Sequence, residues 1–266
     1  MKKNQLAKKL LRPKAVYPLA EMMPDLEQWF QTAAGQKMLR QQQVLLDELL
    51  PTQFGYHLMQ MSVSRDVCLY RSSKIRHCFA VGPLAGGGIG SVCDEQLALD
   101  NESIDVAILH HVMEYTQQPH QLLREVSRVM VCGGQLVILS INPFSLMGAA
   151  SLLHRMRGWG VWQNHLIGIR RLADWLTFMD FTVQSVQYGY YQLPSGGPMT
   201  QSLASLEQML NRWQLPFGGF FMVVARKDVS RLTPVKSRRR LQARSLLPLM
   251  EPSYYGRKSN KKTRLH

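Results

Sequence analysis

Residues 103–141 have the sequence SIDVAILHHVMEYTQQPHQLLREVSRVMVCGGQLVILSI, in which two apolar runs flank an amphipathic segment. The first run, led by Asp105, and the second, QLVILSI, each predict a buried strand. PHQLLREVSRVM predicts a helix that begins at Pro119 and ends at Gly133 and Gly134. Strand, helix and strand with short joints predict a βαβ unit with parallel strands and a right-handed crossover.

The rest of the chain alternates in the same way. The segment DLEQWFQTAAGQKMLRQQQVLLDELL, residues 25–50, has helical spacing that is interrupted at Gly35 and ends at Pro51. Further strands are predicted for YHLMQMSV, RHCFAVG, TVQSVQYGYY and GGFFMVVARK, and a further helix for RRLADWLTFMDF. This succession predicts an α/β sheet covered by helices.

The positive charge lies at the two ends of the chain. The formal net charge is +14, yet residues 1–14 contain six Lys/Arg and no acid, and residues 226–266 contain thirteen against two acids. We therefore expect a basic, extended lead-in over residues 1–24, an α/β domain over 25–228 and a basic, mostly disordered tail over 229–266.

The basic tail has two interpretations. Its clusters KSRRR and RKSNKKTR surround Tyr254 and Tyr255, and such a composition is typical of segments that bind RNA through phosphate attraction and base stacking. The alternative is a solvated tail that keeps the protein soluble.

The composition favours a cytoplasmic protein without an integral membrane segment. No run approaches the roughly 20 apolar residues that a membrane span needs, and no apolar signal region follows the basic N-terminus. The four cysteines, at positions 68, 78, 93 and 132, have no zinc-binding spacing.

The stretch LHHVMEYTQQPH, residues 109–120, concentrates three histidines and a glutamate. His110 and His111 end a predicted parallel strand, which is where ligands bind in an open α/β sheet. Adjacent residues of a strand point to opposite faces, and no HExxH pair is present, so no metal site is expected. A structural role, with one histidine packed and the other solvated, stays open beside a functional one.

Residues 103–148 resemble the segment around the fourth and fifth strands of class I S-adenosylmethionine-dependent methyltransferases, in the type 11 branch that includes quinone-biosynthesis enzymes. The matching positions are Asp105, Val112, Met113, Glu114, Pro119, Leu123, Glu125, Arg128, Val129, Met130, Gly133 and Gly134. The resemblance implies a Rossmann-like, seven-stranded, mostly parallel sheet with an antiparallel last-formed strand, an N-terminal helical extension and S-adenosyl-L-methionine as the cofactor.

The resemblance also implies a site at the carboxyl ends of the first and fourth strands. The cofactor-binding residues that it implies are Gln60, Met61, Ser62, Asp94, His110, His111 and Glu114. The substrate rim that we predict contains Asn142, Trp29 and Phe30. No catalytic side chain is predicted, because an activated sulfonium needs mainly alignment with its acceptor.

Three positions depart from the family pattern. The first strand runs into SVSRD without a glycine, the second ends at Gly82 without an acid, and Cys93 stands where the adenine-site acid belongs, one residue before Asp94. LAGGGIG, residues 84–90, has the spacing of a turn between the second and third strands. Because non-glycine residues rarely adopt φ > 0, we expect weaker cofactor binding than in glycine-loop enzymes.

Two classes of function therefore stay open. The first is methyl transfer to a small-molecule or lipid-like acceptor. The second is a catalytically degenerate binding module, and an RNA-directed methyltransferase would combine the two.

Overall fold

The structure, a computed structural model, describes residues 19–82, 96–157, 165–191, 213 and 215–228, with the side chains of all of these except 19–22 and 152–157. The chain divides into two units, Met1–Arg231 and Leu232–His266, and the second lies outside the described residues. The predicted lead-in up to residue 18, the glycine-rich turn, Asp94 and the basic tail also lie outside them.

The described residues form six helices and six strands. The helices are α1 (Leu19–Gln31), α2 (Ala33–Leu49), α3 (Val112–Tyr115), α4 (Pro119–Val129), α5 (Leu146–Arg157) and α6 (Ile169–Phe178), and a single 3₁₀ turn, Leu50–Thr52, follows α2. The strands are β1 (His57–Ser62), β2 (His77–Val81), β3 (Ile104–His110), β4 (Met130–Ile141), β5 (Phe181–Gly189) and β6 (Phe220–Lys227). Among the described helices, none is long and apolar enough to cross a bilayer.

The strands form one sheet in the order β2-β1-β3-β4-β6-β5. The first four in that order pair in parallel, and β6 is antiparallel to both of its neighbours. The predicted βαβ unit and the antiparallel last strand are therefore confirmed. Within the described ranges the sheet has six strands, so the predicted seventh is not among them.

The unit β3-α4-β4 follows from its residue pattern. Helix α4 buries Leu122, Leu123, Val126 and Val129 on one face. The Asp105 carboxylate, near the start of β3, accepts hydrogen bonds from the backbone N–H groups of Tyr56 (2.8 Å) and His57 (2.9 Å). The acid that opens the family motif thus fixes the amino end of β1 against β3.

Alternating strand residues supply two hydrophobic clusters, as the period of a β-strand requires. One contains Met59 and Leu109 together with apolar side chains of α1, α4 and α6. The other contains Leu58 and Ile108 together with side chains of α2. Burial of each large side chain contributes about 1.5–3 kcal/mol.

Three local expectations were wrong. Residues 19–24 begin α1 and are not extended, because Met23, on the same face as Leu26 and Phe30, is buried in the core despite Pro24 inside the helix. Helix α4 ends at Val129 and not at Gly133, because the buried Met130 already has extended dihedrals.

The third expectation concerned the two histidines, which do not alternate. His111 has φ 58° and lies outside β3. The chain therefore turns after His110.

The connection between β1 and β2 also departs from the strand–helix–strand rhythm. Residues 63–76 contain turns and bends and no helix. Fourteen residues suffice for a parallel crossover without one. The connection that follows the first strand is consequently a loop without a helix.

Candidate functional site

Two histidine rings meet in one buried place at the carboxyl end of β3. Its last residue is His110, and the left-handed backbone of His111 turns that side chain to the same side. The ring centroids lie 4.6 Å apart in an edge-to-face arrangement. The Phe30 ring of α1 lies 5.3 Å from His110 and 6.0 Å from His111, between centroids.

A glutamine of helix α2 joins the two rings. Gln42 is fully buried, and its side-chain amide lies 3.1 Å (Oε1) from His110 Nε2 and 2.8 Å (Nε2) from His111 Nε2. On the outer side of each ring, His110 Nδ1 lies 2.8 Å from Ser62 Oγ, and His111 Nδ1 lies 3.1 Å from Glu114 Oε1. We call these five residues the buried polar cluster.

With neutral rings, with Glu114 as a carboxylate and with the Gln42 amide oriented as described, one set of donor roles satisfies these contacts. The backbone N–H of Ile141 donates to Glu114 Oε1, and a carboxylate accepts, so His111 donates from Nδ1 and accepts from the Gln42 amide at Nε2. Gln42 Oε1 then accepts from His110 Nε2, and Ser62 donates to His110 Nδ1. Burial, and secondly the neighbouring His111, holds the pKa of His110 well below its usual value, which agrees with a neutral ring.

The buried polar cluster is closed to solvent. All five members are at most 7% exposed, and the void beside His111 measures about 10 Å³. That is room for about one water molecule. The hydrogen-bonding atoms of the two histidines are used within the cluster, so these residues offer a ligand no open polar face in this arrangement.

Other predicted cofactor residues stabilise the loop after β1. Gln60, 1% exposed, donates from Nε2 to the carbonyl of Val67 (2.5 Å) and accepts at Oε1 from the N–H of Leu69 (2.8 Å). Ser62 Oγ accepts from the N–H of Ser64 at 3.2 Å. Met61 is part of the core. Contact between any of these side chains and a cofactor stays a prediction.

The predicted substrate-rim residues lie in two different places. Asn142, at the end of β4, is 3% exposed, and its Nδ2 donates to the carbonyls of Pro216 and Gly218, both at 2.9 Å. It thereby ties β4 to the segment before β6. Trp29 and Phe30 belong to α1 and pack against the core. Their two rings lie edge to face, with 4.9 Å between the centroids.

An open polar cavity lies beyond the carboxyl end of β1, between the loop and helices α1 and α2. It measures about 240 Å³, and we call it the polar cleft. Its lining includes two acids, Glu27 and Asp66, and two bases, Arg40 and Arg71. The N–H of Arg65 donates to Glu27 Oε1 at 3.3 Å, which joins the loop to α1.

A second cavity opens on the other side of Arg40, between α2 and the ends of β5 and β6. It measures about 420 Å³, and we call it the amphipathic cleft. Apolar atoms dominate its walls, with Lys37, Arg40 and Gln41 as the polar groups. Among the residues that the structure describes, its lining is Lys37, Arg40, Gln41, Val44, Leu45, Tyr188, Gly189 and Phe220.

Sequence reasoning missed Gln42 and Arg40. A signal for Gln42 was present, because Met38, Gln42 and Leu46 follow one another at i, i+4 spacing on the buried face of α2. An amide within such an apolar stripe needs a partner. Within the described ranges, no three His, Cys, Asp or Glu side chains are grouped as metal ligands would be.

Comparisons with known proteins concern the family segment and the fold of the chain. The family model described as "Methyltransferase domain", of type 11, matches residues 89–138. The uncharacterized protein YafS of Escherichia coli (strain K12) is 31% identical over 140 residues, 52% of this chain and 54% of that protein. The chain thus aligns with about half the length of this relative.

Two solved structures share the fold. An S-adenosylmethionine-dependent methyltransferase from Thermotoga maritima superposes with a TM-score of 0.57 at 17% identity, covering 78% of this chain and 97% of that one. A chain of the complex between the Haloferax volcanii Trm112 methyltransferase activator and a methyltransferase gives 0.50 at 13% identity, covering 70% and 88%.

The fold is therefore that of the class I S-adenosylmethionine-dependent methyltransferases, as the sequence resemblance implied. The model of the type 11 branch matches the segment that comprises β3, α3, α4 and most of β4. The fold family implies S-adenosylmethionine as the cofactor.

Proposed function

We propose that the chain transfers a methyl group from S-adenosylmethionine to an apolar acceptor that carries an anionic group. The observation that carries this proposal is the pair of cavities on the two sides of Arg40, at the carboxyl edge of the sheet. That edge is where open α/β sheets bind their ligands.

We place the cofactor outside the buried polar cluster, because the void beside His111 measures about 10 Å³, which is room for about one water molecule. The polar cleft fits the cofactor's amino-acid end. That end carries an ammonium and a carboxylate beside the sulfonium, and the cleft offers two carboxylates, Glu27 and Asp66, and two guanidinium groups, Arg40 and Arg71. Its volume of about 240 Å³ is below the ~300–1,000 Å³ of pockets that enclose a whole drug-sized ligand.

These residues would bind and orient the cofactor. When bound, the sulfonium supplies an activated methyl group, so orientation of the two reactants is the main task of the protein. Arg40 lines both cavities, so it would hold a carboxylate on one side and neighbour the acceptor on the other.

The amphipathic cleft supports the choice of acceptor. Val44, Leu45 and Phe220 form apolar walls suited to a hydrocarbon or aromatic body, and Lys37 and Arg40 suit an anionic group at one end. A volume of about 420 Å³ lies within the range of small-molecule pockets.

A second candidate is a methyltransferase fold that no longer transfers methyl groups and serves as a binding module. The closed polar cluster favours it, together with the loop that replaces a helix between β1 and β2. Under this hypothesis the protein binds neither S-adenosylmethionine nor its demethylated product.

Calorimetric titration with S-adenosylmethionine and with S-adenosylhomocysteine separates the two candidates. We expect wild-type protein to bind both, and Asp66→Asn to weaken S-adenosylmethionine more than S-adenosylhomocysteine, because only the former carries the sulfonium charge. Asp47→Asn is the matched control, since Asp47 is an exposed acid that accepts from Gln43 Nε2.

Absence of binding at millimolar ligand would support the binding module. Equal losses of cofactor affinity in Asp66→Asn and Asp47→Asn would indicate that the cofactor does not bind in the polar cleft.

A further inference from the structure

Large apolar side chains are exposed at the carboxyl edge of the sheet, where they line a cavity distinct from the polar and amphipathic clefts. Phe144 and Leu146, which follow β4, are 74% and 60% exposed, and Phe217, which precedes β6, is 62% exposed. All three line one cleft of about 420 Å³. We call these three residues the apolar patch.

The backbone beneath the apolar patch is held by hydrogen bonds. Asn142 donates to the carbonyls of Pro216 and Gly218 and accepts from the N–H of Phe144 at 3.0 Å. The Tyr191 hydroxyl donates to the carbonyl of Leu215 at 2.6 Å, and burial raises the pKa of Tyr191 to about 12. The patch is therefore presented on a fixed frame, and its exposure is not that of a frayed end.

A helix with two arginines in its first turn starts beside the apolar patch. The Phe144 ring lies beside Gly168: its Cε2 atom is 3.8 Å from the position that a Cβ on Gly168 would occupy. Helix α6 begins at the next residue, with Arg170 and Arg171 exposed in its first turn. Trp213, four residues before Phe217, is exposed as well. Residues 226–266 add a net charge of +11 on the same chain.

We propose that the apolar patch is a docking surface for an anionic lipid bilayer, with Phe144, Leu146 and Phe217 entering the headgroup boundary. A single weak signal gives marginal membrane attachment, and an apolar insertion combined with a polybasic segment gives stable attachment. The chain carries both signals. This inference does not depend on methyl transfer.

The exposed apolar side chains favour a bilayer over RNA. A basic segment attracts any polyanion, whereas Leu146 has no planar face on which a base could stack, and exposed apolar surface gains from burial in acyl chains. Binding to RNA is therefore an alternative outcome that the experiment must separate.

Co-sedimentation of the full chain with vesicles tests the proposal. We expect binding to phosphatidylcholine vesicles that contain phosphatidylglycerol, weak binding to phosphatidylcholine alone, and a steep loss in high salt. Phe144→Ser combined with Phe217→Ser should weaken binding by about tenfold or more. Leu146→Ser alone should give a smaller loss in the same direction.

Two controls separate the apolar and electrostatic contributions. Phe54→Ser removes an equally exposed phenylalanine before β1, at the opposite edge of the sheet, and should leave binding unchanged. Changing Lys236, Arg238, Arg239 and Arg240 to Gln in the full chain should reduce binding only to the anionic vesicles.

Three results would overturn the proposal. The first is no vesicle binding by the wild-type chain. The second is equal binding by wild type and the double Phe variant, with melting curves unchanged, which would show that the apolar patch does not contact the bilayer. The third is binding of the wild-type chain to single-stranded RNA that the double Phe variant loses while its vesicle binding stays the same, which would assign the patch to RNA.

Discussion

Replacing Gln42 by Met tests the role of the buried polar cluster. The substitution keeps the length of the side chain and removes its amide, so His110 loses an acceptor and His111 loses a donor, both in a fully buried place. Each unpaired buried group costs about 1–3 kcal/mol, and the apolar methionine offsets part of that. We expect a loss of about 3 kcal/mol in the free energy of unfolding.

Urea unfolding followed by circular dichroism measures this change, provided that the slope against urea stays the same in both proteins. The melting temperature should fall by roughly 6–12 °C. Gln43→Met is the matched control, because the next amide along α2 donates to the exposed Asp47 and, at 3.4 Å, to the carbonyl of Leu69, and loss of these contacts should cost about 1 kcal/mol. A Gln42→Met variant as stable as the control would refute the hydrogen-bonded cluster.

Three further predictions concern stability. Burial lowers the pKa of His110 in the folded state, so the unfolded chain takes up the proton first as the pH falls. The free energy of unfolding should therefore decrease by about 1.4 kcal/mol per pH unit below pH ~6.5. Urea midpoints from pH 7 to 5 measure this decrease, and His110→Gln should flatten the slope, whereas the exposed His120→Gln should not. Asn142→Asp keeps the oxygen that accepts from the Phe144 N–H and removes both donated hydrogen bonds. We expect the free energy of unfolding to fall by about 2–3 kcal/mol in the same urea assay. A fall of less than about 0.5 kcal/mol would show that Asn142 does not hold β4 to the segment before β6. Gly148→Ala should destabilise the protein by more than about 1 kcal/mol, because the new Cβ would lie 2.4 Å from the Asn142 carbonyl oxygen. Gly168→Ala should differ little from wild type, because no atom lies closer than 3.8 Å to its new Cβ. Equal melting temperatures in the two variants would contradict this prediction.

The β3-α4-β4 unit could be predicted because its signals are local. The apolar runs, the proline at the start of α4 and its buried stripe all lie within about 40 residues, and the periods of 2 and 3.6 distinguish strand from helix. The same signals carried the family resemblance. The antiparallel direction of the last strand was implied by the family resemblance and not by the residues alone.

The polar cluster could not be predicted, because its contacts join distant parts of the chain. Gln42 meets His110 across 68 positions, and no local pattern reports such a pairing. His111 takes a left-handed backbone that non-glycine residues rarely adopt, so the alternation rule for strands failed at that residue. The charged lining of the polar cleft likewise combines α1, α2 and the loop after β1.

A crystal structure of the wild-type protein with S-adenosylhomocysteine tests the central claim most directly. The account predicts the amino-acid end of the ligand in the polar cleft, with its carboxylate near Arg40 or Arg71 and its ammonium near Glu27 or Asp66. Gln42 should still join the two histidines. A ligand in contact with His110 and His111, with Gln42 displaced, or crystals that bind no ligand at saturating concentration, would contradict it.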